Sequence, residues 1–228
     1  MTKEIAAIAF DLDDTLIKSS IDYWRMKLCI VDIFTQLNLE KSKFNFETPN
    51  FKLIEEGLHQ LTIQGASDEK LTEVKASISQ TISALELESL PAVTALPGAV
   101  NVLGELKEKK LKTGVLTRGC REYATLALEK CGMVKLLDGL VARDEVKNPK
   151  PHPDQIRTLS AILDVSLQEM ILVGDSVVDL LSAQNAKISF VGVLSGLSDK
   201  DAFRTHGCQD LIQSITELPK YIEKITLN

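Results

Sequence analysis

A chain of 228 residues, 44% hydrophobic and 25% charged, carries enough apolar material for a sizeable core, and its length allows one domain or two. A formal net charge of −6 and a pI near 5.2 argue against a general nucleic-acid or anionic-membrane surface, since either favours a basic face. No apolar run approaches the roughly 18 residues that span a bilayer, and Cys29, Cys120, Cys131 and Cys208 form no Cys-x-x-Cys pair, so reduced cysteines in a cytoplasmic protein are expected rather than a zinc site or disulfide framework.

Residues 5 to 16, Ile-Ala-Ala-Ile-Ala-Phe-Asp-Leu-Asp-Asp-Thr-Leu, start as a short apolar run and end in three acids and a hydroxyl. A buried strand delivering carboxylates to a sheet edge has this pattern. The run is cut short by Asp11 with no cleavage-like segment after it, so it is not expected to be a leader. Asp11 and Asp13 are two apart, and extended backbone would send both side chains from one face while Leu12 points away. Paired anions repel each other, and a hard divalent cation such as Mg²⁺ would relieve that repulsion. The plainer alternative is a solvated strand end closed by an Asx turn.

After Thr15 the period becomes helical, with Trp24, Leu28, Val31 and Phe34 or Thr35 as the expected apolar face. A polar stretch over residues 40 to 50 precedes a second helix through Phe51, Ile54, Leu58 and Leu61. Ser67-Asp-Glu-Lys is a capped start for a third, through Leu71, Val74, Ile78, Ile82 and Leu85. Residues 18–93 therefore read as an inserted helical cap without strands, followed by Pro91 and Pro97 as punctuation. From Gly98 a helix runs to about Lys110, then Lys112 to Thr117 reads as a strand. Arg121 to Cys131 reads as a helix ended by Gly132, Leu140 to Ala142 as a strand, and Asp154 to Leu163 as a helix. Met170 to Gly174 is the next strand, a helix starts near Ser176, and a strand from Ser189 to Leu194 precedes helices in the tail. This alternation predicts an α/β, Rossmann-like doubly wound parallel sheet built from residues 1–17 and 94–228, with ligands at the carboxyl ends of its strands.

Three further stretches carry candidate chemistry: Gly-Val-Leu-Thr ending at Thr117, Lys150 in Lys-Pro-His-Pro, and Gly-Asp-Ser-Val-Val-Asp over 174 to 179. Asp175 and Asp179 are four apart, so a helix starting between them brings both carboxylates to one side of a crevice. The plainer role for Asp175 is a helix N-cap. Lys150 lies between two prolines whose restricted backbone can aim its amine inward, with Lys147 as a nearby competitor. His59, His152 and His206 show no metal-ligand spacing.

With Asp-Leu-Asp-Asp-Thr at 11 to 15, these stretches in this order resemble the motifs of the haloacid dehalogenase-like hydrolase superfamily, and the cap placement resembles its phosphoglycolate phosphatase branch. Many relatives have Gly where this chain has Asp14, a departure the family tolerates. The resemblance implies a strand order of 3-2-1-4-5, with Asp11 as nucleophile forming an aspartyl-phosphate and Asp13 as general acid and then base. It implies Mg²⁺ held by Asp11, Asp175 and the Asp13 backbone carbonyl, with Asp179 acting through water or outer contacts. Phosphate would be held by Thr117 and Lys150, with Arg118 and Gly119 as added donors.

The expected partner is a small phosphorylated metabolite, with no nucleic acid and no membrane, and the oligomeric state is left open. Residues 18–93 would choose the substrate, with Trp24 and Arg25 as candidate contacts and Trp24 alternatively core. Competing readings are a phosphosugar mutase of the same branch, a dehalogenase (opposed by Asp13), a phospho-accepting receiver (opposed by the length and the cap), and a non-catalytic binding protein.

Overall fold

The computed structural model describes residues 5–226. One compact unit comprises the chain up to Ser19 and from Ala92 onward, and the other comprises Ser20–Pro91. The strands are β1 (Ala7–Phe10), β2 (Ile17–Lys18), β3 (Thr94–Ala95), β4 (Lys112–Leu116), β5 (Gly139–Val141), β6 (Met170–Gly174), β7 (Ser189–Val193) and β8 (Leu211–Ile212). The α-helices are α1 (Tyr23–Gln36), α2 (Asn50–Ile63), α3 (Asp68–Ser89), α4 (Ala99–Glu108), α5 (Arg121–Lys130), α6 (Asp154–Leu163), α7 (Val177–Ala186), α8 (Lys200–Thr205) and α9 (Leu218–Thr226).

Among the described residues the main sheet has six parallel strands in the order β5-β4-β1-β6-β7-β8. Every residue of β1 and β6 is buried, as continuous apolar runs in a sheet covered on both faces must be. On one face Ala7, Ala9, Leu116 and Leu172 join Ile156 and Leu159 of α6 and Leu180 and Ala183 of α7 in a single core. Each fully buried aliphatic side chain there contributes roughly 1.5–3 kcal/mol. The register places the chemistry: Phe10 is level with Val115 of β4 and Val173 of β6, so Asp11, Thr117 and Asp175 leave the sheet at the same edge. The switch in strand order lies at β1, where such sheets bind ligands.

The expected strand order is present, and β8 extends it at the edge where the sequence suggested only tail helices. Two residues carry no readable period. A second small strand pair was also missed: β2 and β3 are antiparallel, with Ile17 opposite Ala95 and Lys18 opposite Thr94, so the strand-free stretch starts after Lys18.

In the Ser20–Pro91 unit, α1 is capped by Asp22, which accepts from the Arg25 N–H at 2.8 Å, and α3 by Ser67, which accepts from Lys70 N–H at 3.2 Å. The face expected for α1 needs correction. Met26, Ile30, Val31 and Phe34 are buried, whereas Trp24 is 56% exposed and is not core. Val31 and Phe34 belong to both the expected and the observed face; the docking of α2 and α3 turns the helix so that Met26 and Ile30 complete the buried face in place of Trp24 and Leu28. Phe34 decides the α1–α2 contact: a Cβ on Gly57 would fall 2.4 Å from its ring, so α2 approaches there only because it has no side chain. The buried residues of α2 are accordingly Leu53, Gly57 and Leu61, which keeps Leu61 of the expected face and puts Leu53 and Gly57 in place of Ile54 and Leu58.

Candidate active site

Asp11 continues the sheet for one residue beyond β1, its N–H donating to the Val173 carbonyl at 2.9 Å. The chain then folds back on itself: Leu16 and Ile17 N–H both donate to the Leu12 carbonyl, at 2.9 and 3.1 Å. Asp14 sits inside this turn at φ 58°, the left-handed region that Gly occupies freely and Asp tolerates better than most residues. Lys18 anchors its carboxylate at 2.8 Å. A glycine would occupy the same backbone without strain.

Lys150 is only 1% exposed, and all three of its ammonium donors are used. They go to Asp11 Oδ1 at 2.5 Å, Asp179 Oδ1 at 2.7 Å and the Leu116 carbonyl at 2.9 Å. The competitor Lys147 is exposed. Gln155, fully buried in α6, holds the Lys150 loop: it accepts from Lys150 N–H at 2.9 Å and donates to the carbonyls of Thr117 at 2.8 Å and Val141 at 3.0 Å. One amide thereby ties the residue that follows β4 and the last residue of β5 to the lysine. Arg118 adds to this by donating to the Lys150 carbonyl.

Oxygens of Asp11, Asp175 and Asp179 lie within 4.8 Å of one another, and all three residues are buried. Burial pushes the Asp11 carboxyl well above its ordinary range; Lys150 opposes this, and Asp179, Asp175 and Asp13 add repulsion. Burial, reinforced by Asp179, pushes Asp175 up to about 6 against the hydrogen bonds from Leu197 and Thr15. Burial alone would lower the Lys150 pKa, but Asp11 and Asp179 hold it above the usual lysine value. One ammonium among three buried carboxylates leaves an excess of negative charge presented by hard oxygen atoms. Such a donor set fits a divalent cation such as Mg²⁺.

Asp175 accepts from Thr15 Oγ1 at 3.1 Å and from the Leu197 N–H at 2.7 Å. It is not the N-cap of α7. Ser176 takes that place, and Asp179 closes a capping box by accepting from Ser176 N–H at 3.2 Å and Ser176 Oγ at 2.5 Å. Asp13 lies apart from the three-acid cluster: its Oδ1 accepts from the Tyr123 hydroxyl at 2.7 Å, and Thr117 Oγ1 is 3.4 Å from its Oδ2. Thr117 Oγ1 in turn accepts from the Gly119 N–H at 2.8 Å.

Thr15, Tyr123, Gln155 and Gly196 are the residues that sequence reasoning did not single out. The contacts of Thr15, Tyr123 and Gln155 span 160, 110 and 38 positions, and the role of Gly196 depends on free space, none of which a local pattern shows. Gly196 is the clearest case, since a Cβ there would lie 2.3 Å from both Cβ and Oδ2 of Asp175. Gly196→Ala should displace the Asp175 carboxylate or the loop after β7, weaken binding of a divalent cation such as Mg²⁺ about 10–100-fold, the usual cost of disturbing a ligand's supports, and cost about 1–3 kcal/mol of stability, as overpacking does. Mg²⁺ titration checks this, and wild-type affinity would show that the loop accommodates the methyl group freely.

Comparison with known proteins adds three kinds of finding. The sequence model of the haloacid dehalogenase-like hydrolases matches residues 8–193. Pyrophosphatase PpaX of Oceanobacillus iheyensis is 25% identical over 214 residues, covering 94% of this chain and 95% of that protein. Validoxylamine A 7′-phosphate phosphatase of Streptomyces hygroscopicus subsp. limoneus is 32% identical over 132 residues, and phosphoglycolate phosphatase of Escherichia coli 30% over 122. Those two matches cover 58% and 54% of this chain but only 61% and 48% of the respective relatives. A haloacid dehalogenase-like hydrolase structure from Bacteroides fragilis superposes with a TM-score of 0.68 at 20% identity, covering 94% of this chain and 100% of that one, which is a likeness of fold.

Proposed function

We propose, from the premise that this chain belongs to the haloacid dehalogenase-like hydrolase family, that it is a phosphatase acting on a small organic phosphate monoester through an aspartyl-phosphate on Asp11. The observation that carries the reading is the single buried cluster in which Lys150 bonds Asp11 and Asp179 while Asp175 stands beside them.

Asp11 attacks phosphorus, the bond to the leaving oxygen breaks, and Asp13 supplies the proton that oxygen takes up. In the second half-reaction water attacks the same phosphorus, the Asp11–phosphorus bond breaks, and Asp13 accepts the proton from water. Lys150 orients the Asp11 carboxylate and balances negative charge as the phosphoryl group arrives. The Thr117 hydroxyl is assigned to a phosphoryl oxygen. Arg118, which donates to the Lys150 carbonyl, is assigned to holding that loop. Asp11, Asp175 and Asp179, with the Asp13 carbonyl, would hold Mg²⁺, which supplies electrostatic relief between the nucleophile and the anionic substrate. Every group named here lies in the α/β unit, so we assign choice among phosphate esters to the helical unit. These relatives are named for different substrates, so phosphoglycolate is one example of the class.

A panel of metabolite phosphates, assayed for phosphate release with Mg²⁺ and after chelation, tests the reading. Release that survives exhaustive chelation, unaffected by added Mg²⁺, rejects the metal, and transfer of phosphate within a sugar without its release moves the reading to a mutase. Helical-unit variants that shift all esters equally reject the assignment of selectivity. The metal also has a pH signature. The folded chain keeps the Asp175 proton between the ordinary value of 3.8 and about 6, a window in which the unfolded chain has released it. Stability of the metal-free protein therefore falls as pH rises through that window, while cation binding, which needs the deprotonated acid, strengthens. The rise in melting temperature on adding Mg²⁺ should be larger at pH 7.5 than at pH 5, and an equal rise at both would count against Asp175 as a ligand.

A further inference from the structure

We propose that Gln155 is a positioning residue for phosphoryl transfer: it fixes the Lys150 backbone against the strand ends and so aims the ammonium at Asp11. This rests on the role proposed for Lys150 above. Gln155 lies in the first turn of α6, in a buried face otherwise made of Ile156, Leu159 and Leu163, and is itself fully buried. An apolar side chain of similar length would fill that place without the cost of burying an amide. The amide is nonetheless matched at both ends. Its Oε1 accepts from the Lys150 N–H at 2.9 Å, and its Nε2 gives its two hydrogens to the carbonyls of Thr117 at 2.8 Å and Val141 at 3.0 Å. Only an amide of this reach offers two donors and an acceptor on one planar group.

The loop that carries Lys150 is built of turns, yet its backbone is held from several sides. The Lys150 carbonyl accepts from Arg118, the Pro151 carbonyl from Asn185 at 3.0 Å and the His152 carbonyl from Ser182 at 3.2 Å. Among these anchors Gln155 is the one that bonds the backbone of two strand ends. An ammonium on a four-carbon stem follows its backbone, and this one reaches three acceptors at once: Asp11 Oδ1 at 2.5 Å, Asp179 Oδ1 at 2.7 Å and the Leu116 carbonyl at 2.9 Å. Leu116 ends β4 and Thr117 follows it. Both ends of the lysine are therefore referred to the same piece of chain, the ammonium directly to Leu116 and the backbone N–H through Gln155 to Thr117. The amide sets the span that the stem has to bridge.

A buried amide needs partners for its own sake, and a purely structural role would explain the three bonds as well. The two accounts differ in what happens once the ammonium is gone. Gln155→Met keeps the length and removes all three bonds. Thr117 keeps its N–H bond to Val141 and its hydroxyl bond with the Gly119 N–H, so the effect on turnover passes through Lys150. At a temperature where melting curves show the proteins folded, Gln155→Met should lower kcat/KM for p-nitrophenyl phosphate about 10–100-fold, the scale of a displaced catalytic group. In a Lys150→Met background the same substitution should cost less than about threefold, because the group it aims is absent. A full loss in both backgrounds, or no loss in the native one, would overturn the proposal. Lys150→Met alone separates the two levels. If it turns over substrate at the native rate, the role of Lys150 fails and that of Gln155 with it; if it is impaired while Gln155→Met is not, only the role of Gln155 fails. Should Gln155→Met not fold, alone or combined, Gln155→Glu takes its place, since it keeps the length and the acceptor but presents at most one hydrogen to the two carbonyls. The same losses in the two backgrounds are then expected, and the same results would overturn the proposal.

Discussion

Asp11→Asn should slow Mg²⁺-supported turnover of an aryl phosphate by at least about 10⁴-fold, as expected for loss of a covalent nucleophile. It should do so in a protein that is no less stable than the parent. The substitution keeps the shape of the side chain and replaces an anion with a neutral amide. In the native chain the burial of Asp11 outweighs the attraction of Lys150, and Asp179, Asp175 and Asp13 add repulsion, so its pKa lies well above the ordinary carboxyl range. A folded pKa raised in this direction means that the native chain holds a proton which the unfolded chain has lost, and stability falls as pH rises through that window. Above it, in chelator, the ionised carboxylate opposes folding and the amide does not. Asp179, 2.7 Å from Lys150 in the native chain, remains in the variant as its counterion. Melting curves at neutral pH check the stability half, and turnover by the purified variant checks the other. Near-normal turnover would remove Asp11 from the reaction, while a large fall in melting temperature would show that the ion pair with Lys150 dominates over desolvation.

Lys150→Met should fail on both counts. The side chain is of similar length and apolar, so the change isolates the charge. It leaves Asp11 and Asp179 buried beside Asp175 without the ammonium that bonds the first two at 2.5 and 2.7 Å. Removing one partner of a buried pair typically costs about 3–5 kcal/mol. At about 2–4 °C per kcal/mol for a chain of this size, the melting temperature should drop by roughly 10 °C at neutral pH. The deficit should shrink on acidification, because the stranded acids can then take up protons, and also on adding Mg²⁺. Activity at a temperature where the variant is folded should fall about 10²–10³-fold, the usual loss when one preorganised charge is removed. Lys147→Ala is the control, since Lys147 is exposed three residues earlier and should change neither property. A Lys150→Met protein with wild-type melting and activity would show that the buried ammonium is dispensable.

The clearest signals in the sequence are those that a local segment can carry alone. The apolar run into Asp11, the Gly-Asp-Ser start of α7 and the βα alternation after Gly98 each depend on backbone period and capping chemistry within about a dozen residues. The bounds of α6 and β6 agree with the sequence reading to the residue. Asp11 and Asp175 were legible because a charged residue at the end of an apolar strand conflicts with the simplest packing account of its surroundings, whereas Lys150, in a loop where lysines are usually solvated, stood out only through the resemblance of its motif.

Tertiary structure alone decided how the buried face of α1 is turned, bringing Met26 and Ile30 inside beside Val31 and Phe34 and leaving Trp24 outside. It made Ser176, not Asp175, the cap of α7, because the Thr15 hydroxyl and the Leu197 N–H claim the Asp175 carboxylate from distant segments. It placed Tyr123 on Asp13 and Gln155 under Lys150. A hydrogen bond between residues more than a hundred positions apart, or a carboxylate seated where a glycine has no Cβ, leaves no trace in local periodicity. Period and capping determine which segments become strands and helices; burial, charge and hydrogen bonding between those segments determine which side chains meet, and these are properties of the packed chain.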